Sequence, residues 1–394
     1  VRASSHEANI QFKCTTAYNS LLKSYEFFLE NSTKLLSGYY IDKKVMNNRL
    51  FIFDLMRALA IFIILFHHLP QYSGNFYNFN FIGIHIDLSP VNGLNRYLAL
   101  SLFIFISGYL LNRKRERFQD INSAVKFLYK KIIRIFPLYY LALFAFIYIY
   151  KIFSPLTIFI HILGLQLLFA SPNFKPIMTL WFIGLILIYY SLFIVINYGN
   201  IRQISRILII ILFPIFIGLL SVVFKVTDLR IILYYWVFIF GIFSAETNFF
   251  EQKLWRKISP IIPILFILFF LISFFVEKEY GLMKINLGYS YILINLLVLL
   301  FVLFVYQISS FISLNNPSVK LIELISYSSY CMFLFHRPLW SVMDKFLKKT
   351  LEINNFYITT SILVILGIPI LIVFSYYLQR FYDKYVMKLA YCLD

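Results

Sequence analysis

Cysteine is scarce in this chain. Only Cys14, Cys331 and Cys392 occur, too scattered for a disulfide framework or a thiolate metal site. The six histidines contain no zinc-type pair at helical spacing, because His67 and His68 are adjacent, so no metal is expected. Charge is also sparse, at 14% of residues, where a soluble protein carries about a quarter. Acidic residues are the rarer kind, 18 against 36 Lys and Arg, which leaves a formal net charge of +18. In a soluble domain that excess would suggest a nucleic-acid partner. Here the basic residues sit in short loops between apolar runs, as the positive-inside bias of membrane proteins requires, and no nucleic acid is expected. The first 45 residues lack the basic start, apolar stretch and small-residue cleavage site of a signal peptide. No inverted repeat of the kind common in transporters is visible.

What the chain does have is apolar length. Hydrophobic residues make up 61% of it, in recurring runs of about 18 to 22 residues, enough to cross about 30 Å of hydrocarbon. The expected fold class is therefore all-α: a polytopic membrane helix bundle of about ten transmembrane helices. Hydropathy places the spans near 51–69, 94–112, 132–152, 177–197, 207–224, 231–247, 258–276, 289–309, 321–341 and 357–378. A further stretch, 156–170, is short for a crossing and reads as a re-entrant or interfacial helix. Two regions follow: a polar N-terminal extension, 1–45, and a transmembrane domain, 46–394. Met46 stands just ahead of the first apolar run, so the extension is either an upstream in-frame translation or a short cytosolic segment.

Loop charge sets orientation. Lys43, Lys44 and Arg49 precede the first span, and Arg113, Lys114, Arg115 and Arg117 follow the second. Arg202, Arg206, Lys253, Arg256, Lys257, Arg380, Lys384 and Lys388 fall in later loops of the same parity, provided 156–170 does not cross. Both termini are then cytoplasmic in a multi-pass protein of the cell membrane, with Lys345, Lys348 and Lys349 as the exception outside.

Ionisable residues at membrane depth are functional candidates. Arg57 lies well inside the first apolar run, and His68 follows eleven positions later on the same helical face. That spacing is about 16 Å along the axis, and it favours His68 over His67 as the partner of Arg57 in one pathway. Asp54, three residues before Arg57, can neutralise it. Arg57 could instead snorkel to the headgroups, and His68 could be an interfacial residue. Ser107-Gly108 in the second span is either a close-packing small pair or a site level with Arg57. At the start of the third span, Lys131 and Arg134 lie one turn apart, either as a flank or as a phosphate clamp, and Pro137 is expected to break the helix just inside. Trp181, Ser326, Tyr327 and His336 complete the polar inventory of later spans.

These segments, in this order, resemble the acyltransferase family 3 of membrane O-acyltransferases. The run "RALAIFIILFHH" is similar to its first-helix signature, an Arg and a His with ten residues between them, here Arg57 and His68. "LFIFISGYLLNRKR" resembles its second-helix Ser-Gly motif, here Ser107, Gly108 and Tyr109. "KIIRIFPLYY" resembles its Arg-x-x-Arg segment followed by Pro, here Lys131, Arg134 and Pro137. "LWFIGLILIYY" and "ISYSSYCMFLFHRP" are similar to later segments. Two positions depart from the pattern: Lys131 replaces an Arg, and Ile186 stands where many members have Glu.

The resemblance implies an acyltransferase transferring groups other than amino-acyl groups, with acetyl-CoA or another acyl-CoA as donor and a carbohydrate or glycoconjugate hydroxyl as acceptor, at or across the lipid bilayer. In that scheme Lys131 and Arg134 hold coenzyme A phosphates, Arg57 and Ser107 guide or polarise the thioester, and His68 is the general base, or the nucleophile in a covalent variant. A transporter or flippase for a lipid-linked or anionic solute is the alternative, since a deep Arg and a basic mouth serve that role too.

Overall fold

The structure, a computed structural model, describes residues 36–74, 76–82, 84–169, 174, 176–199, 201–284, 286–312 and 318–387, with side chains from Phe51 onward except Ser318. Residues 1–35 of the N-terminal extension lie outside this set. The chain runs through helices α1 (Leu36–His68), α2 (Ser89–Asn112), α3 (Ile121–Tyr150), α4 (Pro155–Ile162), α5 (Trp181–Ile196), α6 (Gln203–Val222), α7 (Tyr235–Thr247), α8 (Ile262–Glu279), α9 (Leu287–Ser310), α10 (Ser318–Lys349), α11 (Phe356–Ile362) and α12 (Ile368–Tyr382). The last two are joined by a π-helical turn, Leu363–Gly367, just ahead of Pro369. The α4 segment is eight residues long, too short to span a membrane.

Capping groups decide where helices begin. The third helix starts at Ile121, well ahead of the expected 132, because Asp120 and Ser123 form a capping box in which the Asp120 carboxylate accepts from the Ser123 N–H at 2.8 Å. Asn355 does the same for α11, accepting from Tyr357 N–H at 3.0 Å. Between α1 and α2 the chain forms a small antiparallel hairpin, β1 (Asn78–Phe81) with β2 (Ile84–Asp87), which hydropathy did not anticipate. It is too short to change the all-α class.

Among the described residues, nine helical stretches are long and apolar enough to cross a membrane. The tenth expected span corresponds to α10, 32 residues long but diluted by polar residues. Ser326, Ser328, Ser329, His336, Arg337 and Ser341 on it are all buried. Its polarity faces protein, packed against α1, α3 and α12. By contrast α6 and α8 turn most of their apolar side chains outward, as helices at a lipid boundary do.

Pro137 does not break α3, contrary to the expectation; the helix continues to Tyr150. A helical proline strands the carbonyl four residues before it. For Pro137 that carbonyl belongs to Ile133, and the Tyr382 hydroxyl of α12 donates to it. Pro214 in α6 strands the Ile210 carbonyl, and the Tyr235 hydroxyl donates to that one at 2.7 Å. Neighbouring helices thus supply the donors that proline removed.

The tightest helix crossing sets α2 on α7. A Cβ placed on Gly108 would lie 2.4 Å from the Phe238 carbonyl oxygen, and one on Gly241 would lie 2.5 Å from the Phe105 carbonyl oxygen. The Ser107-Gly108 pair therefore does serve close packing. At the far end of this pair, Arg206 grips Glu246 through two bonds of 2.7 Å, and Arg117 donates to Asn197 at 3.1 Å. Arg117, which follows α2, and Arg206, in the first turn of α6, are thereby gathered at one end of the bundle.

Gly241→Val should force α2 and α7 apart. The expected loss is about 1–3 kcal/mol for an overpacked contact, read as a lower thermal midpoint of the detergent-solubilised protein. Tyr235→Phe should lose about 1 kcal/mol or more, because it strands the Ile210 carbonyl again. An unchanged midpoint in either variant would contradict this account.

Candidate functional site

Two cavities open into the bundle. One, of about 570 Å³, is lined by Asp54, Arg57, Ser107, Lys131, Arg134 and Tyr190, with Ser326, Tyr327 and Asp383 on its α10–α12 side. Arg57, Ser107, Lys131 and Arg134, brought together from α1, α2 and α3, are the residues the sequence nominated for the donor end. Arg57 donates to Asp54 at 3.0 Å, and the same carboxylate oxygen accepts from Ser326 at 2.6 Å. The i, i+3 pair anticipated from the sequence is thus also the tie between α1 and α10. Lys131 sits over the rings of Phe127 and Tyr190, its ammonium 5.1 and 5.8 Å from their centroids. Arg134 is exposed at the mouth. Ile186 is buried in the wall.

His68 lines the other cavity, of about 740 Å³, together with His67, Arg96, Trp181, Asp228, Arg230 and Arg337. The structure therefore separates Arg57 from His68: they share one helix and open into different chambers. It also places His67 in the same chamber as His68, although helical geometry pointed it away. Trp181, from the polar inventory of the later spans, is part of this wall, with the Arg230 guanidinium 4.4 Å from its ring centroid.

The hydrogen bonds fix the neutral tautomers. His67 Nδ1 lies 2.9 Å from the Asn92 carbonyl oxygen, which can only accept. The proton is then on Nδ1, and Nε2 keeps its lone pair. His336 is arranged alike, with Nδ1 2.8 Å from the Phe333 carbonyl oxygen; its ring is buried and stacked on His68 at 5.3 Å. His68 is the opposite case. The Arg337 Nη2 donates to its Nδ1 at 2.9 Å, so the lone pair is on Nδ1 and is occupied by the guanidinium.

Phe333 lines both cavities. It packs against Phe182 at 5.1 Å and Phe103 at 6.4 Å, and those two rings stand 6.4 Å from each other. This aromatic triangle is the partition between the Arg57 chamber and the His68 chamber. Neither the partition nor Arg337 was among the nominated residues. Arg337 carried a signal, an ionisable side chain inside a span. Phe333 carried none, since one more Phe in an apolar run looks like its neighbours.

Among known proteins, the acyltransferase family 3 model, described as an acyltransferase domain, matches residues 50–380. That stretch runs from the start of the first span into α12 and contains the lining of both chambers apart from Asp383. No curated protein and no solved structure matches the chain.

The Asp54 carboxylate neutralises Arg57 and anchors Ser326, so losing it should hurt more than losing the serine alone. Asp54→Ala is expected to lower the thermal midpoint in detergent further than Ser326→Ala does. Adding Arg57→Leu to Asp54→Ala should recover part of the loss by removing the stranded charge. Equal effects of the two single variants would show that the ion pair adds nothing to the fold.

Proposed function

The chain belongs to the acyltransferase family 3, and from that premise we propose that it moves an acyl group, acetyl in the simplest case, from acyl-CoA to a hydroxyl of a carbohydrate or glycoconjugate at the membrane. The observation that carries this reading is the pair of chambers meeting at Phe333, one lined by Arg57, Ser107, Lys131 and Arg134, the other by His68. In this proposal the Arg57 chamber takes the donor from the cytosolic side, with both termini cytoplasmic. Arg134 and Lys131 bind coenzyme A phosphates at the mouth; the lysine contributes charge without the guanidinium's fork. The pantetheine reaches past Arg57 and Ser107, so that the thioester carbon arrives at the Phe333 partition.

The acceptor enters the His68 chamber. Its hydroxyl oxygen attacks the thioester carbonyl carbon, the C–O bond forms, and the C–S bond breaks. The hydroxyl proton passes to His68 and then to the departing thiolate, giving free CoA-SH. For His68 to accept that proton at Nδ1, the hydroxyl must take the place now held by the Arg337 Nη2. The Phe333 ring must swing out of the line between donor and acceptor for the hydroxyl oxygen to come within bonding reach of the carbonyl carbon, while the surrounding aromatic side chains keep water out. A specific observation favours a second assignment of the base: His67 faces the same chamber with an uncommitted Nε2.

The test is transfer of label from radiolabelled acetyl-CoA in membranes that contain the full chain, followed into glycan, lipid and protein fractions. Label in glycan that falls about 100-fold or more in His68→Ala, and less in His67→Ala, supports the scheme. The reverse order moves the base to His67. Lys131→Ala should raise the KM for acetyl-CoA about tenfold, equivalent to about 1.4 kcal/mol of phosphate binding, with kcat less affected. Solute flux across the membrane without loss of acyl-CoA would turn the assignment to a transporter.

A further inference from the structure

The His68 chamber is lined by four cations, Arg96, Lys225, Arg230 and Arg337, and one carboxylate, Asp228. Two of the cations are compensated. Arg230 binds Asp228 through bonds of 2.8 and 2.5 Å, and Arg96 lies 3.5 Å from Glu277. Among the described residues, Lys225 and Arg337 have no carboxylate within ion-pair distance.

Arg337 is the more telling of the two. Its side chain is buried, with 7% of the residue exposed, and it is the one permanently charged side chain in the stretch of α10 between Glu323 and Asp344, the latter already paired with Lys348. It donates to a thioether (Met178), an amide oxygen (Gln71) and an imidazole (His68), all of them neutral, and its Nε has no partner among the described residues. A guanidinium withdrawn from water and given only neutral acceptors is poorly compensated. Its planar fork is matched by a carboxylate or a phosphate, either of which it can bind through two parallel bonds. It is also next to the imidazole assigned to the chemistry.

We propose that Arg337, supported by Lys225 on the same chamber wall, is the seat for an anionic group carried by the acceptor, so that the substrate class is an acidic glycan or glycoconjugate bearing a carboxylate or phosphate near the acylated hydroxyl. This rests on the acyltransferase reading above and names the substrate class of that same site. The arrangement also couples recognition to chemistry. A guanidinium drawn onto an anion releases His68 Nδ1, and the nitrogen that must accept the hydroxyl proton becomes free when the right acceptor is bound. A neutral sugar leaves Arg337 on His68.

The experiment uses purified full-length protein in detergent, with glucuronate and glucose 6-phosphate as anionic probes and glucose as the neutral one. Binding is read first, by quenching of tryptophan fluorescence, since Trp181 lines the chamber. The expected result is at least tenfold tighter binding of one anionic sugar than of glucose in the wild type, and loss of that preference in Arg337→Gln, with partial retention in Arg337→Lys. Equal binding of all three sugars, or a preference that survives Arg337→Gln, overturns the proposal. Should Arg337→Gln fail to fold, the comparison of wild type with Arg337→Lys and Lys225→Gln decides in the same way.

Transfer of label is then measured with acetyl-CoA and with acetyl-pantetheine, which carries no phosphate. An anionic preference that needs Arg337 with both donors supports an acceptor-borne anion. A defect in Arg337→Gln that disappears with acetyl-pantetheine assigns the anion to the donor and overturns the proposal. Because binding is read without turnover, absence of any transfer would count against the acyltransferase reading alone, while transfer with no anionic preference would count against this inference alone.

Discussion

Hydrocarbon offers no hydrogen bonds, and that constraint organises this bundle. Each polar group placed at membrane depth has to be answered by another part of the chain. The answers come from far away in sequence. The carbonyl stranded by Pro137 meets Tyr382, the carbonyl stranded by Pro214 meets Tyr235, and the Asp54 carboxylate gathers Arg57 from its own helix and Ser326 from α10. These contacts tie α3 to α12, α6 to α7 and α1 to α10. The glycine crossing of α2 on α7 then brings Ser107 to the chamber wall at backbone-contact distance. Packing and site are thus consequences of the same requirement. Asp54 and Ser326, which tie α1 to α10, also line the Arg57 chamber.

The first span does two jobs along its length. Near one end it presents Arg57 to the smaller chamber, and near the other it presents His67 and His68 to the larger. A straight helix holds these groups about 16 Å apart, as three turns require. No motion of side chains within α1 could bring them into contact. The distance is bridged by other helices, through the packed rings of Phe103, Phe182 and Phe333.

Much of this could be read from the chain before any coordinates. Apolar run length gave the helices, and intramembrane ionisable residues pointed to Arg57 and His68. What could not be read depends on pairs far apart in sequence. His68 and Arg337 are 269 residues apart, and nothing local in either segment says that a guanidinium will occupy the imidazole nitrogen. Pro137 looked like a helix breaker because the sequence shows the donor that proline lacks and not the tyrosine that compensates for it. The start of α3 was misplaced for a simpler reason: hydropathy marks where lipid contact begins, whereas the capping box of Asp120 and Ser123 marks where the helix begins. Helical spacing favoured His68 over His67, but a chamber wide enough to be lined by both rings takes in adjacent helical positions, which differ by about 100°.

The polarity of α10 bears on how the protein is made. A segment that crosses unaided does so because its own apolar surface outweighs the penalty for its polar groups, and α10, with Arg337, His336 and a row of serines, is poorly equipped for this. Its polar face becomes tolerable only against α1, where Asp54 receives Ser326 and His68 receives Arg337. Because α10 follows α1 by about 250 residues, His68 goes without its Arg337 partner until α10 has been made and can pack against α1. The His68 chamber takes its described form only once that pairing is in place.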